Sequence, residues 1–291
     1  MKLKEKLIEG FLLSCSLLTI LTTVGIIGVL IVETFGFFQE VSFWEFITDK
    51  EWTPLFADKH FGILPLLSGT FLTTMIALIV AVPLGLTIAI YLSEYAHPNV
   101  RTFVKPSLEV LAAIPTVVYG YFALVYVTPM LQAIFPELSG FNALSPGIVM
   151  GVMILPLVSS LSEDALYAVP KTLREGSVAM GATKFQTAFR VVVPAAFSGI
   201  AVSIILSISR AFGETMIVAI AAGQQPRLTL NPMVPIETAT TYIVQVSQGD
   251  LPQDSLEYKT IYAVGMSLFV ITLLLNNISF WLKKKYHQAY K

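Results

Sequence analysis

The chain has 291 residues, 55% of them hydrophobic and 13% charged, with a formal net charge of −1 and a mean hydropathy of +0.74. Soluble domains carry roughly 25% charged residues, so the composition excludes an ordinary soluble domain and points to a membrane protein, and the net charge gives no ground for a nucleic-acid partner. The single cysteine, Cys15, lies in an apolar run; an internal disulfide is excluded, and the residue reads as a small buried hydrophobe.

Five runs, 10–32, 61–93, 110–136, 138–162 and 260–282, contain no Asp, Glu, Lys or Arg, and a sixth, 191–225, is interrupted only by Arg210 and Glu214. A spanning helix takes about 20 apolar residues, so the expected architecture is all-α and polytopic, with six transmembrane helices. A cleaved signal peptide is the alternative for the first run, but that run is too long and no small-residue cleavage site follows it. Loop cations set the orientation. A cytoplasmic N-terminus places Lys2, Lys4, Lys6, Arg101, Lys105, Lys171, Arg174, Lys184, Arg190, Lys283, Lys284, Lys285 and Lys291 inside, and leaves Lys50, Lys59, Arg227 and Lys259 outside, 13 against 4. Both termini are then cytoplasmic.

The first span, about residues 10–36, is aliphatic and reads as packing. The external segment that follows, to about residue 67, mixes Phe43, Trp44, Phe46, Trp52, Phe56 and Phe61 with five acids, a composition suited to the headgroup level or to seating an external partner. In the second span, about 68–94, Pro83 removes a helical hydrogen bond and predicts a kink. The third begins near Glu109, where Ala112, Ala113 and Gly120 permit close helix approach. Together T-P-L-F, F-G-I-L-P-L-L-S-G-T, V-P-L-G-L, I-A-I-Y-L-S-E-Y and A-A-I-P-T-V-V-Y-G, spread over residues 53–120, resemble the phosphate-importer permeases of the PstC type.

After the fourth span, about 144–163, comes a basic interruption, R-E-G-S-V-A-M-G-A-T-K-F-Q-T-A-F-R-V-V-V-P, residues 174–194. Pro170 suits a first helical turn, so Lys171 to Met180 reads as a short helix stopped near Gly181, with Thr183 capping a second one. Glu175, Gly181 six residues later, then Val191, Val193 and Pro194 resemble the EAA loop of bacterial ABC-importer permeases, with Gly176 and Ser177 replacing the usual alanines. G-S-V-A-M-G-A-T also looks like a phosphate-binding loop, but Ala182 occupies the position of the essential lysine and no strand precedes it. The chain therefore carries no cofactor of its own; if ATP and Mg are used, a separate ATPase holds them.

In the fifth run Ser203, Ser207, Arg210 and Glu214 are spaced by four, three and four, which predicts one helical face. Charge at membrane depth usually faces a bundle interior or an aqueous path, and an arginine fork suits an oxyanion. Glu214, one turn on, would neutralise Arg210 between substrates; an ion pair that only fixes helix packing is the alternative. The segment S-R-A-F-G-E-T, residues 209–215, is similar to S-R-A-x-G-E-T of phosphate permeases, and that resemblance implies pathway roles for Arg210 and Glu214.

An external segment containing Pro226, Pro232, Pro235 and Pro252 then leads to the last span; within it 235–248 is expected to form a short, partly buried helix, a gate or a docking surface. The division is an N-terminal helix and external segment (1–67), a permease core (68–282) whose EAA-type loop covers 164–196, and a basic tail (283–291). The resemblances imply the type I ABC-importer (MetI-like) fold and a phosphate permease of the bacterial inner membrane. They also imply three partners, a related PstA-type permease, a PstB-type ATPase dimer and an external PstS-type binding protein. The alternatives are the same machinery carrying sulfate, molybdate or an organic solute, or a stand-alone ion-coupled transporter. A membrane enzyme is disfavoured by His60, His97 and His287 standing apart outside the spans.

Overall fold

The computed structural model describes residues 2–286, so the basic tail expected at 283–291 lies outside the described residues from 287 onward. The order is α1 (Lys2–Glu40), α2 (Phe43–Thr48), α3 (Leu64–Ile90), α4 (Pro98–Ala113), α5 (Thr116–Phe122), α6 (Thr128–Ile134), α7 (Leu144–Tyr167), α8 (Lys171–Ala179), α9 (Lys184–Thr187), α10 (Val193–Ala195), α11 (Phe197–Phe212), α12 (Met216–Ala221), α13 (Ala239–Ser247) and α14 (Leu256–Tyr286). Wider π turns extend α3 at Tyr91–Tyr95, join α5 to α6 at Ala123–Val127 and follow α9 at Ala188–Val192. The fold is all-α, with isolated bridges only at Trp52 and Phe61 and at Gly223 and Ile236 among the described residues. Among the described residues, five helical stretches are long and apolar enough to cross a membrane, and six if the pair Lys184–Ala195 and Phe197–Phe212, bent by 69°, forms one span.

The central seam joins α3 to α7. A Cβ on Gly151 would lie 2.7 Å from Val80 Cβ and 2.8 Å from the Ala77 carbonyl oxygen, so this crossing requires glycine. Gly147 meets Ile76 and Gly85 meets Val158 in the same way; the register advances on both helices together, so α3 and α7 run parallel, as two spans entered from one side must. Small residues thus bring two backbones close in a setting where dispersion does much of the binding. α3 passes through Pro83 as one helix, with Thr87 Oγ1 donating to the Pro83 carbonyl at 2.7 Å.

Four sequence expectations need correction. The third span is shorter than predicted: Ile114, forced to extended geometry ahead of Pro115, separates α4 from the span 116–134. The run 191–225 is not one helix, since the chain bends at Ala196 and breaks again at Gly213–Thr215. The aromatic segment is largely core: Phe46, Trp52 and Phe61 are buried with Phe37, Leu66 and Val264, and Trp52 meets Tyr242 of α13 edge-on at 5.0 Å, leaving Phe43, Trp44 and Phe56 exposed. Cys15 is exposed on α1 rather than buried.

Candidate functional site

Three helices frame a cavity of about 420 Å³ lined by Lys105 and Glu109 of α4, Met153 and Glu163 of α7, and Arg210 of α11. Arg210 sits in the last turn of α11 and is exposed to this space, its Nη2 3.6 Å from Met153 Sδ. Among the described residues no carboxylate comes within ion-pair distance of its guanidinium. The expected neutralisation by Glu214 does not occur. α11 ends at Phe212, two residues short of the i+4 position, and Glu214 is buried at the start of α12, its Oε1 3.4 Å from the Ile217 N–H and its carbonyl accepting from Thr240 Oγ1 at 2.8 Å.

The serines of the expected stripe face elsewhere. Ser203 and Ser207 are fully buried; Ser203 Oγ shares a 2.7 Å hydrogen bond with Ser162 Oγ of α7, and Ser207 Oγ donates to the Ser203 carbonyl. Ser203 thus ties α11 to α7 while Ser207 bonds back within its own helix, and of the four stripe residues only Arg210 lines the cavity.

Charges that the hydropathy pattern treated as loop cations complete the site. Glu163 is 1% exposed and lies 2.6 Å from Arg101 Nε and 3.3 Å from Lys105 Nζ, while Lys105 also reaches Asp164 at 3.1 Å. The pairing is one of charge, since both Glu163 oxygens are buried without a well-directed donor. Burial works against the Lys105 ammonium, but its contacts with Asp164 and Glu163 outweigh that and hold it above the usual lysine range. Arg101 additionally stacks over the Tyr167 ring at 4.4 Å. Arg101, Lys105 and Glu109 are four residues apart, so one face of α4 was readable in the sequence; what they meet was not.

The second part of the site is the loop after α7. α8 has no buried residue, and Glu175 and Gly176 are exposed. Ser177 Oγ reaches Thr187 Oγ1 at 3.0 Å, tying α8 to the next helix. Gly181 ends α8 with φ +83, a conformation that side-chain-bearing residues avoid. Thr183 then caps α9 in a reciprocal box: its Oγ1 accepts from Gln186 N–H at 3.2 Å, and Gln186 Oε1 accepts from Thr183 N–H at 2.9 Å. The helix, turn, helix read from the sequence is therefore present, although Pro170 stands at the N-cap rather than inside the first turn. Pro194 lies in α10, exposed, just before the 69° bend into α11. Val178, Met180 and Phe185 are exposed around the loop.

The family model of binding-protein-dependent transport system inner membrane components matches residues 81–289, which include both the cavity-lining helices and this loop. The chain belongs to that family of ABC-importer permeases. As such it is a non-catalytic transmembrane subunit that couples to a separate ATPase. The permease is 36% identical over 264 residues to the probable ABC transporter permease protein YqgH of Bacillus subtilis, covering 90% of this chain and 85% of that one. It is 33% identical over 265 residues to the phosphate transport system permease protein PstC of Mesorhizobium japonicum, covering 84% and 77%. Among solved structures, a chain of a bacterial ABC transporter involved in the import of the acidic polysaccharide alginate matches over the full length of both, with a TM-score of 0.63 at 18% identity. A chain of the inward-facing MetNI methionine ABC transporter matches 77% of this permease and 94% of its own length, with a TM-score of 0.56 at 18% identity. These likenesses establish the MetI-like permease fold.

Proposed function

We propose that this permease carries inorganic phosphate across the bacterial cytoplasmic membrane in an ATP-driven importer. The observation that carries the reading is Arg210: a guanidinium without a carboxylate partner, directed into a cavity between three helices. Such a group attracts an oxyanion through paired, charge-assisted hydrogen bonds and stays protonated throughout the cycle. The names of relatives such as PstC point the same way. Glu163 and Asp164 together offset Arg101 and Lys105, so of the cations lining the cavity Arg210 is the one without a carboxylate partner among the described residues. Ser203 and Ser207 act by fixing α11, and Glu214 by fixing the start of α12.

In this reading both termini and α8 face the cytoplasm. Glu175, Gly176 and Ser177 of α8 enter a groove of an ATPase dimer as a helix-in-groove contact, with Gly181 and Pro194 shaping the return of the chain to α11. A related permease completes the path, and an external binding protein delivers the solute. Its test is ATP-dependent uptake of labelled phosphate by an Arg210→Gln complex in cells lacking other phosphate importers. Loss of uptake with normal assembly is expected, and normal uptake overturns the assignment.

A further inference from the structure

The motif I-A-I-Y-L-S-E-Y ends α3, and its acid, Glu94, takes no part in the cavity. It lies in the π turn Tyr91–Tyr95, 11% exposed, and pairs with Arg174, the residue immediately before Glu175 on α8. Arg174 Nη2 is 2.8 Å from Glu94 Oε1, and Nε lies 3.3 and 3.2 Å from Oε1 and Oε2. Ser93 Oγ donates to the same carboxylate at 2.8 Å. The rest of the guanidinium is used on α7: Nη2 donates to the Leu166 carbonyl at 2.8 Å, and Nη1 donates to the Val169 carbonyl. One side chain thus joins three elements, α8, the end of α3 and the end of α7, with every nitrogen engaged. α8 has no buried residue of its own; it rests on α9 and the Ala188–Val192 turn that follow it, and Arg174 is its polar link to α3 and α7.

We propose that Arg174 and Glu94 form the strut through which movement of α8 reaches α7, which lines the cavity, and α3, which packs parallel against α7. The planar fork suits such a link because its five donors fix direction as well as distance, which a lysine point charge does not. The half-buried setting keeps the pair from being screened to nothing, unlike an exposed surface pair. Arg174 and Glu94 are positioning residues; neither touches the solute. The inference rests on reading α8 as the ATPase contact.

The test uses the complete reconstituted complex with Cys15→Ser in this chain and Ser160→Cys as a reporter, because Ser160 lines the cavity. Maleimide labelling of that cysteine is followed by mass on this chain, with and without ATP and orthovanadate, beside trapped nucleotide as a measure of ATPase closure. In the background protein trapping changes the labelling rate. Glu94→Gln is expected to keep nucleotide trapping while shrinking the ATP-dependent change in labelling about fivefold or more, the lower end of typical couplings between sites. Arg174→Gln gives the same loss, the double variant is no worse than either single one, and Arg174→Lys falls between. A full labelling change in both Glu94→Gln and Arg174→Lys, or losses that add in the double variant, overturns the strut. No ATP-dependent change in the background protein, despite trapped nucleotide, overturns the reading of α8 and the strut with it.

Discussion

Glu237 offers a quantitative check on the packing between α3 and the segment leading into α13. It is 2% exposed, its Oε1 has no hydrogen-bond partner, and its backbone carbonyl lies so close to Gly69 of α3 that a Cβ there would stand 2.2 Å from it. Burial pushes its carboxyl from the ordinary 4.5 up to about 8, so the folded protein holds the proton through neutral pH. The unfolded chain releases it near 4.5 and binds fewer protons above that, so this group's contribution is fully present below pH 4.5 and is lost as pH rises towards 8. Each pH unit in that window removes about 1.4 kcal/mol, on the order of 3 kcal/mol by pH 7. Glu237→Gln keeps the shape and abolishes the titration. In detergent-solubilised protein unfolded by denaturant at a series of pH values, the variant should match the wild type near pH 4.5 and gain on it steadily to pH 8. Parallel curves for the two proteins would refute the burial argument.

Three further outcomes follow from the geometry. Glu163→Ala strands Arg101 and leaves Lys105 with Asp164 alone; because both cations are 31% exposed, the loss should be about 2 kcal/mol rather than the 3–5 of a fully buried pair, read as a lower denaturation midpoint at pH 7. Gly151→Val places atoms against Val80 and the Ala77 carbonyl and should cost about 1–3 kcal/mol by overpacking, whereas the same change at Gly140, with open space around it, should be tolerated; equal effects would contradict the seam. His60 and Asp49 are 2.9 Å apart. The hydrogen bond to Asp49 raises His60 above its ordinary 6.5; burial works to raise Asp49, but that bond together with two backbone N–H groups outweighs it and lowers the carboxyl below 3.8. The histidine's share is present below 6.5 and lost as pH rises through its folded value, and the aspartate's is present above 3.8 and lost in stronger acid. Hydrogen exchange across residues 49–61, corrected for intrinsic rate, should therefore be slower at pH 5.5 than at pH 8.5.

What could be read from the sequence was what local chemistry controls. Hydrophobic runs located the long helices because membrane depth demands an unbroken apolar stretch. Gly181 and the Thr183–Gln186 box located the turn after α8 because those signals act within four residues. The failures came from contacts between distant segments. Trp52 and Phe61 looked interfacial until Tyr242, almost two hundred residues on, covered them. Glu214 kept perfect i+4 spacing to Arg210, yet the helix stopped at Phe212 and left it just ahead of the α12 N-cap, where its side chain accepts from the Ile217 N–H. Glu163 looked like the charged end of a span, and only the folded position of α4 made it a buried counter-ion. Local spacing predicts a face where the helix continues; it does not predict where the helix ends.

Phosphate transport is proposed to run through the cavity that Arg210 faces. The most direct measurement is ATP-dependent uptake of labelled phosphate by the complete complex in vesicles, with unlabelled arsenate, sulfate and molybdate as competitors. Uptake should require ATP, be suppressed by arsenate, be insensitive to sulfate and molybdate, and be lost in Arg210→Gln. Uptake of sulfate, molybdate or an organic solute in place of phosphate would contradict the proposal.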